Sequence, residues 1–203
     1  NLYINYLTFN QFLKPLPNLY ALVNIGILEL MHSGIRSEVI WKNNKKPYAL
    51  GLDFAQVQKR GTNGDFRLKN EHYNTYLASI YYDLPNNWVV KLDAGKYLAG
   101  DFGSTISISR TFNNGWEFGG YATLTDVPFA TYGEGSFEKG LKIKAPVSWF
   151  TGKKSRSVMN AVIRPIMGDG GAKLNLSGDK YLYNVVSEYD QKNISDNWKR
   201  VYR

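Results

Sequence analysis

The sequence predicts an all-β protein: an antiparallel up-and-down transmembrane β-barrel, or part of one, with about eight to ten strands. Apolar and polar residues alternate with a period of two in run after run, and tight turns separate the runs. The 203 residues include 15 Tyr, 10 Phe, 5 Trp and 19 Gly, which excludes a disordered chain and is typical of β structure. Mean hydropathy is −0.37, and no apolar run approaches the 18 residues of a membrane helix.

Eight alternating runs give the order of the predicted strands. They cover residues 19–31, 35–41, 48–55, 76–84, 88–95, 105–112, 116–125 and 141–148. The sequence His32-Ser33-Gly34 predicts a turn after the first run, and Pro85-Asn86-Asn87 predicts another. In Asn113-Asn114-Gly115 the Asn-Gly pair predicts a primed hairpin turn with positive φ angles. The barrel region is predicted to span 1–187, with a last strand at 180–186 and a polar tail, a short helix or strap, at 188–203.

The length of these runs favours a membrane barrel. Strands in globular proteins average five or six residues, whereas a tilted membrane strand needs about 9–11. Aromatic residues recur near the strand ends, as in an interfacial girdle. They are Trp41, Tyr48, Tyr82, Trp88, Tyr97, Trp116 and Trp149. A soluble sandwich or lipocalin-like barrel with one solvated face is the alternative.

Basic residues on the strands indicate the partner. The chain carries 25 Lys and Arg against 17 Asp and Glu, a net charge of +8, which attracts polyanions in general. Candidate polysaccharide-binding residues lining a hydrated interior are Lys91, Lys142, Lys144, Arg110 and Tyr121. A solvated outer face of a sandwich explains the same pattern. Cations and aromatic residues fall mostly on opposite faces, so nucleic acid is not predicted as a partner.

Catalytic residues are sparse. The chain has no Cys and two histidines, His32 and His72, without Ser or Asp partners at meaningful spacing. Glu134 and Glu138 fit paired glycosidase carboxylates, but a Gly-rich loop solvated by acids explains them better. The sequence Gly168-Asp169-Gly170-Gly171 predicts a turn or bulge, because no helix and no Gly-Lys-Ser/Thr follow. No enzyme activity, metal or cofactor is predicted.

Several ordered motifs resemble the C-terminal region of the YjbH/GfcD-type exopolysaccharide and capsule biosynthesis proteins of Gram-negative bacteria. They are YLAGDFGST at 97–105, NGWEFGGYATLTD at 114–126, GEGSFEKG at 133–140 and PVSWFTG at 146–152. Asp169-Gly170-Gly171-Ala172 and the closing Trp198, Tyr202 and Arg203 fit as well. The first 90 residues match only in general strand character.

This resemblance implies a non-enzymatic outer-membrane β-barrel that helps to secrete or assemble an exopolysaccharide or capsule. Its partners would be the polysaccharide, outer-membrane lipid and other polysaccharide-secretion proteins. The family's chains are several times longer, so this chain is expected to be a C-terminal portion. No catalytic residue carries over: Asp101, Glu134 and Glu138 belong to the motifs, with loop closure as their expected role. A soluble β-sandwich that binds polysaccharide, and a glycan hydrolase or lyase, are the alternative functions.

Overall fold

The computed structural model describes residues 4–61, 66–128, 137–153, 155, 157–164, 170–174 and 182–188. Within these ranges the chain forms ten strands and two helices, with a 3₁₀ turn at Pro85–Asn87. The strands are β1 Leu7–Leu16, β2 Leu19–Glu29, β3 His32–Lys42, β4 Tyr48–Arg60, β5 Leu68–Leu84, β6 Trp88–Lys96, β7 Phe102–Thr111, β8 Glu117–Thr125, β9 Glu138–Pro146 and β10 Val158–Ile163. The helices are α1 Ser148–Thr151 and α2 Leu182–Glu188.

Each strand pairs antiparallel with the strand that follows it in the chain, so β1 to β10 form one ten-stranded up-and-down sheet. Within the described ranges β1 pairs with β2 alone and β10 with β9 alone, and the sheet is open. The prediction of an antiparallel all-β chain with eight to ten strands is confirmed. Among the described residues, no helix has the length and apolar character needed to span a membrane.

Two strands were not predicted, because their alternation is short or absent. In β1 the neighbours Phe12 and Leu13 are both apolar, and the register shifts between Leu13 and Leu16. In β10 the sequence VMNAVI is apolar on both faces except at Asn160. Period-two analysis detects a strand only when its two faces differ in polarity.

The strand predicted at 180–186 is wrong, because Leu182–Glu188 is helical. Leu182, Tyr183 and Val186 lie on one face of α2, at the i, i+1 and i+4 positions of a helix, and pack against the same core cluster. Residues 180–181 and most of the predicted tail, 189–203, lie outside the described residues.

Two predicted turns also differ. His32, Ser33 and Gly34 belong to β3, and the chain turns at Leu30 and Met31 instead. After β7 the turn forms as predicted, but it is longer than a primed two-residue turn, and Gly115 alone supplies a positive φ of 89°. Among the described residues the left-handed asparagines are Asn18 in the turn between β1 and β2, with a φ of 64°, and Asn86 and Asn87 in the 3₁₀ turn, with φ of 61° and 60°.

The two faces of the sheet differ sharply. One face, here called the exposed face, is apolar and open: Leu52 is 64% exposed and Ile106 is 55% exposed. The other, the covered face, carries buried polar side chains, and chain segments that follow β10 pack on it. Strand alternation produces this division, since successive side chains point to opposite faces. The polarity is the reverse of that of a soluble sheet, whose apolar face is the buried one.

Two apolar clusters attach these later segments to the covered face. In the first, Leu182 and Tyr183 of α2 pack against Leu22, Ile40 and neighbouring residues of β2–β5. In the second, Leu174 packs against side chains of β2 and β4. The described residues after β10 therefore complete the core that the sheet lacks by itself.

Candidate functional site

A buried ionic cluster surrounds Arg36 on the covered face of β2–β4. Arg36 is 1% exposed; its Nη2 donates to Glu38 Oε2 at 2.9 Å, and its Nη1 donates to Asn24 Oδ1 at 3.1 Å. It also forms an ion pair with Asp53. A buried guanidinium is tolerated only when carboxylates and hydrogen bonds compensate for its lost hydration. The cluster therefore holds three strands in register and leaves Arg36 committed to protein partners.

A second ionic cluster surrounds Asp93 on β6. Lys91 Nζ lies 2.9 Å from Asp93 Oδ1, and Lys173 Nζ lies 2.5 Å from Oδ2. Lys91 also lies 5.0 Å above the ring of Tyr81. A cavity of about 30 Å³ separates the Arg36 and Asp93 clusters. It has room for one or two water molecules and is far smaller than the roughly 300–1,000 Å³ of small-molecule sites.

Four carboxylates of the sheet side hold the later chain, residues 170–174 and 182–188, which we call the return segment. Besides Asp93, which pairs with Lys173, three acids accept hydrogen bonds. They are Asp101 from Gly171 N at 2.8 Å, Glu38 from Leu182 N at 2.9 Å, and Asp83 from the Tyr183 hydroxyl. The Tyr183 ring stacks on Tyr81 with 4.0 Å between centroids. The return segment therefore lies on the polar face of β2–β6 and extends to β8 and β9, where a Cβ at Gly171 would lie 2.3 Å from Thr123 Cγ2 and 3.1 Å from Glu138 Oε2.

Two groups of the return segment have perturbed pKa values. Burial lowers the pKa of Lys173 to about 8, against the partly compensating attraction of Asp93. Burial also raises the pKa of Tyr183, as does its hydrogen bond to Asp83. Tyr183 is therefore neutral at physiological pH and remains a hydrogen-bond donor to that carboxylate.

The covered face of β7–β9 carries a polar surface that is more open. We define the open polar surface as Ser107, Tyr121, Glu138, Lys142 and Lys144, which share this face by register. The Tyr121 hydroxyl donates to Glu138 Oε1 at 3.0 Å, and Lys142 Nζ lies 5.0 Å above the Tyr121 ring. A Cβ at Gly140 would lie 2.6 Å from that ring, so this glycine lets the ring pack flat on β9.

The predicted site residues divide between the two faces. Lys91, Lys142, Lys144 and Tyr121 lie on the covered face, as the alternation predicts. Arg110 lies on the exposed face instead, opposite Trp88 and Phe118. The prediction placed Arg110 with the interior residues because it is a charge on a strand, but it lies on the same face as Ile106 and Ile108.

The motif acids have different surroundings. Asp101 is buried and accepts from the backbone of the return segment. Glu138 binds Tyr121 and lies 3.4 Å from Arg164 Nη1, whereas Glu134 lies outside the described residues. Across the part of the chain that the structure describes, no three His, Asp or Glu side chains form a group that could hold a metal ion.

Six of the seven predicted aromatic anchors lie at one end of the sheet, the end of the turns at 43–47, 85–87 and 112–116. We call this the tryptophan end. There the Trp116 ring stacks on Phe118 at 5.8 Å and meets Trp149 edge-on at 6.1 Å. The exception is Tyr97, which is buried at the opposite end and hydrogen-bonded to Thr105 at 2.7 Å. Tyr97 is therefore a core residue.

The comparison with known proteins identifies the family. Residues 1–188 match the YjbH family, described as "Exopolysaccharide biosynthesis protein YbjH". The chain belongs to the YjbH family. The resemblance in the sequence motifs is thus confirmed, and it extends over the first 90 residues, where the sequence indicated only strand character.

This YjbH-family chain is 33% identical over 197 residues to the "Uncharacterized lipoprotein YjbH" of Escherichia coli (strain K12). The alignment covers 93% of the chain and 27% of that protein, so the chain spans about a quarter of the relative's length. No solved structure matches the chain.

Sequence reasoning missed the Arg36 cluster and the role of Lys173 in this YjbH-family chain. A partial signal existed, because Arg36 and Glu38 stand two residues apart and must share one face of a strand. Their contact with Asp53 depends on the β3–β4 register, and that of Lys173 with Asp93 joins residues 80 apart in sequence. Neither can be read from local spacing.

Proposed function

We propose that this YjbH-family chain is a non-enzymatic part of an outer-membrane β-barrel that secretes or assembles an exopolysaccharide or capsular polysaccharide. Its exposed face meets lipid, and its open polar surface meets the polymer. The family assignment supports the polysaccharide pathway, and the relative's description as a lipoprotein supports an envelope location.

The polarity of the exposed face carries this proposal. On β6–β9 the exposed face is uncharged except at strand ends, and large apolar side chains such as Ile106 and Leu141 are more than half exposed. From Phe102 to Arg110 the strand rises about 26 Å, or about 20 Å at the usual tilt of barrel strands. An apolar band of this height bordered by aromatic residues matches an outer-membrane bilayer.

The open polar surface provides suitable chemistry for a polysaccharide. The Tyr121 hydroxyl and the Glu138 carboxylate are polar groups that can exchange hydrogen bonds with sugar hydroxyls. Lys142 and Lys144 add positive charge for an anionic polymer. Lys142 is exposed, whereas Lys91, an equally cationic candidate, is paired with Asp93. We therefore assign polymer contact to β7–β9 rather than to β6.

Fractionation of cells that make the full-length protein tests the membrane assignment. We expect the protein in the outer-membrane fraction, with a gel mobility that changes on heating, as folded barrels show. Recovery as a soluble periplasmic protein that stays monomeric without detergent would contradict the barrel and favour the sandwich.

Secretion of the polymer tests the polar surface. Replacing Tyr121 and Lys142 by Ala should lower the amount of extracellular polysaccharide while the amount of protein in the membrane stays constant. Lys69→Ala, which removes an exposed lysine near the far end of β5, is the matched control. Unchanged secretion by the double variant would show that the polymer does not contact β7–β9.

A further inference from the structure

The charged side chains on the exposed face of β6–β9 follow a simple rule. All three of these side chains are cations, and each stands at or next to a strand end. They are Lys96, Arg110 and Lys139. Each also lies over an aromatic ring, at 4.7–6.0 Å from its centroid. Arg110 is the member of this set at the tryptophan end.

The guanidinium of Arg110 lies over two aromatic rings. Its guanidinium carbon lies 5.6 Å from the centroid of Trp88 and 4.7 Å from that of Phe112. Arg110 forms no hydrogen bond or ion pair with any of the described residues, and its Nε is buried without a partner. A guanidinium has five N–H donors and remains charged at any physiological pH, so this group has unused hydrogen-bonding capacity.

Among the described residues, no carboxylate lies where Arg110 can use it. Its neighbours by register are Trp88 and Phe118, and the residues two positions back on the same face are Val90 and Ile108. Glu117, the nearest acid in sequence, points to the covered face opposite Lys144. The described residues therefore supply no anion to an arginine that stands on an apolar face.

The position of Arg110 specifies the anion. It lies where the apolar band ends, among aromatic residues that favour the headgroup level of a bilayer. Exposed lysines in the turns at the same end, Lys45, Lys46 and Lys153, add to the positive potential there. Guanidinium pairs with phosphate through two parallel hydrogen bonds, which a lysine cannot reproduce.

We propose that Arg110 binds the headgroup phosphate of a membrane phospholipid at the tryptophan end, with Trp88 and Phe112 holding the guanidinium plane in place. This inference rests on the proposed function, since it needs the exposed face to lie in a bilayer. The site fixes the depth of the sheet by a specific lipid contact in addition to its apolar band.

Lipid binding by the full-length protein tests this site. Detergent-solubilised protein is titrated with phosphatidylglycerol, and bound lipid is counted by native mass spectrometry. Arg110→Gln should weaken binding at the tightest site about fivefold, the equivalent of about 1 kcal/mol for one basic residue at a membrane surface. Arg110→Lys should give an intermediate loss, because it keeps the charge and loses the bidentate geometry. Lys69→Gln, which removes one exposed charge elsewhere, should match the wild type.

Several outcomes would overturn the site. Equal binding by wild type and Arg110→Gln would do so, provided that both show heat-modifiable mobility and are therefore folded. Displacement of the lipid by millimolar inorganic phosphate would identify a free anion as the ligand. If the wild type fails to enter phosphatidylglycerol vesicles at all, the membrane assignment fails, and this result is distinct from a failure at Arg110.

Discussion

A lysine in the middle of the exposed face tests the membrane assignment most directly. Ile106 stands four residues from Phe102 and four from Arg110, about 13 Å along β7 from each border of the apolar band. Its side chain is 55% exposed and points away from the core. In a water-exposed sheet, Ile106→Lys would change the free energy of unfolding by about 0.5 kcal/mol or less. At the midplane of a bilayer, the same lysine costs about 2–4 kcal/mol.

The destabilisation by Ile106→Lys expected in a bilayer therefore exceeds that expected in water by at least about 1.5 kcal/mol, more than tenfold in the folded-to-unfolded ratio. The assay is reversible urea unfolding of the full-length protein in phospholipid vesicles, followed by tryptophan fluorescence. Asn74→Lys is the matched control, because Asn74 lies on the same face but beyond the apolar band and is exposed. We expect that control to unfold like the wild type. Equal, small effects of both substitutions would refute a lipid-facing role for the exposed face.

Three further predictions concern the covered face. Asp93→Asn removes the negative charge that Lys91 and Lys173 both contact and should destabilise the protein by about 3 kcal/mol in urea unfolding; a loss below 1 kcal/mol would contradict this. Lys173, with its pKa lowered to about 8, should become reactive towards acetic anhydride with a midpoint near pH 8. The unfolded chain keeps this proton up to about pH 10.4, so the contribution of Lys173 to the free energy of unfolding should rise between pH 8 and 10.4. A midpoint of acetylation near pH 10.4 would refute the lowered pKa. Gly34→Ala brings a Cβ to 2.1 Å from a β4 carbonyl oxygen and should prevent folding. Gly51→Ala, whose Cβ would have no contact closer than 3.4 Å, should fold. Heat-modifiable gel mobility reports whether each variant is folded.

Much of the sheet was predictable because its two faces differ. The alternation in 88–95 and 116–125 placed β6 and β8 correctly, and the Asn-Gly sequence placed the turn between β7 and β8. The same method failed for β1, whose alternation breaks at Phe12 and Leu13, for β10, where both faces are apolar, and for α2, whose four apolar residues among seven fit a strand as well as a helix. Such short apolar segments take the structure that their packing partners favour.

The candidate site was predictable only by face. Parity along a strand assigns Lys142 and Tyr121 to one side, and their contact follows from adjacent strands in register. The odd or even position of a residue along its strand does not tell whether its side chain is paired with an opposite charge. Lys91 and Lys142 look alike in sequence, but one is paired with Asp93 and the other lies over a tyrosine ring.

The amino-acid sequence by itself determined the strand order, the antiparallel hairpins and the polarity of each face, because these depend on neighbours a few residues apart. Only the tertiary structure decided which part of the polar covered face the return segment fills. The return segment reaches Glu38 and Asp83 across more than 90 residues of chain, and Leu182 and Leu174 complete two apolar clusters there. Such contacts depend on where distant segments meet in space, and local periodicity carries no information about that.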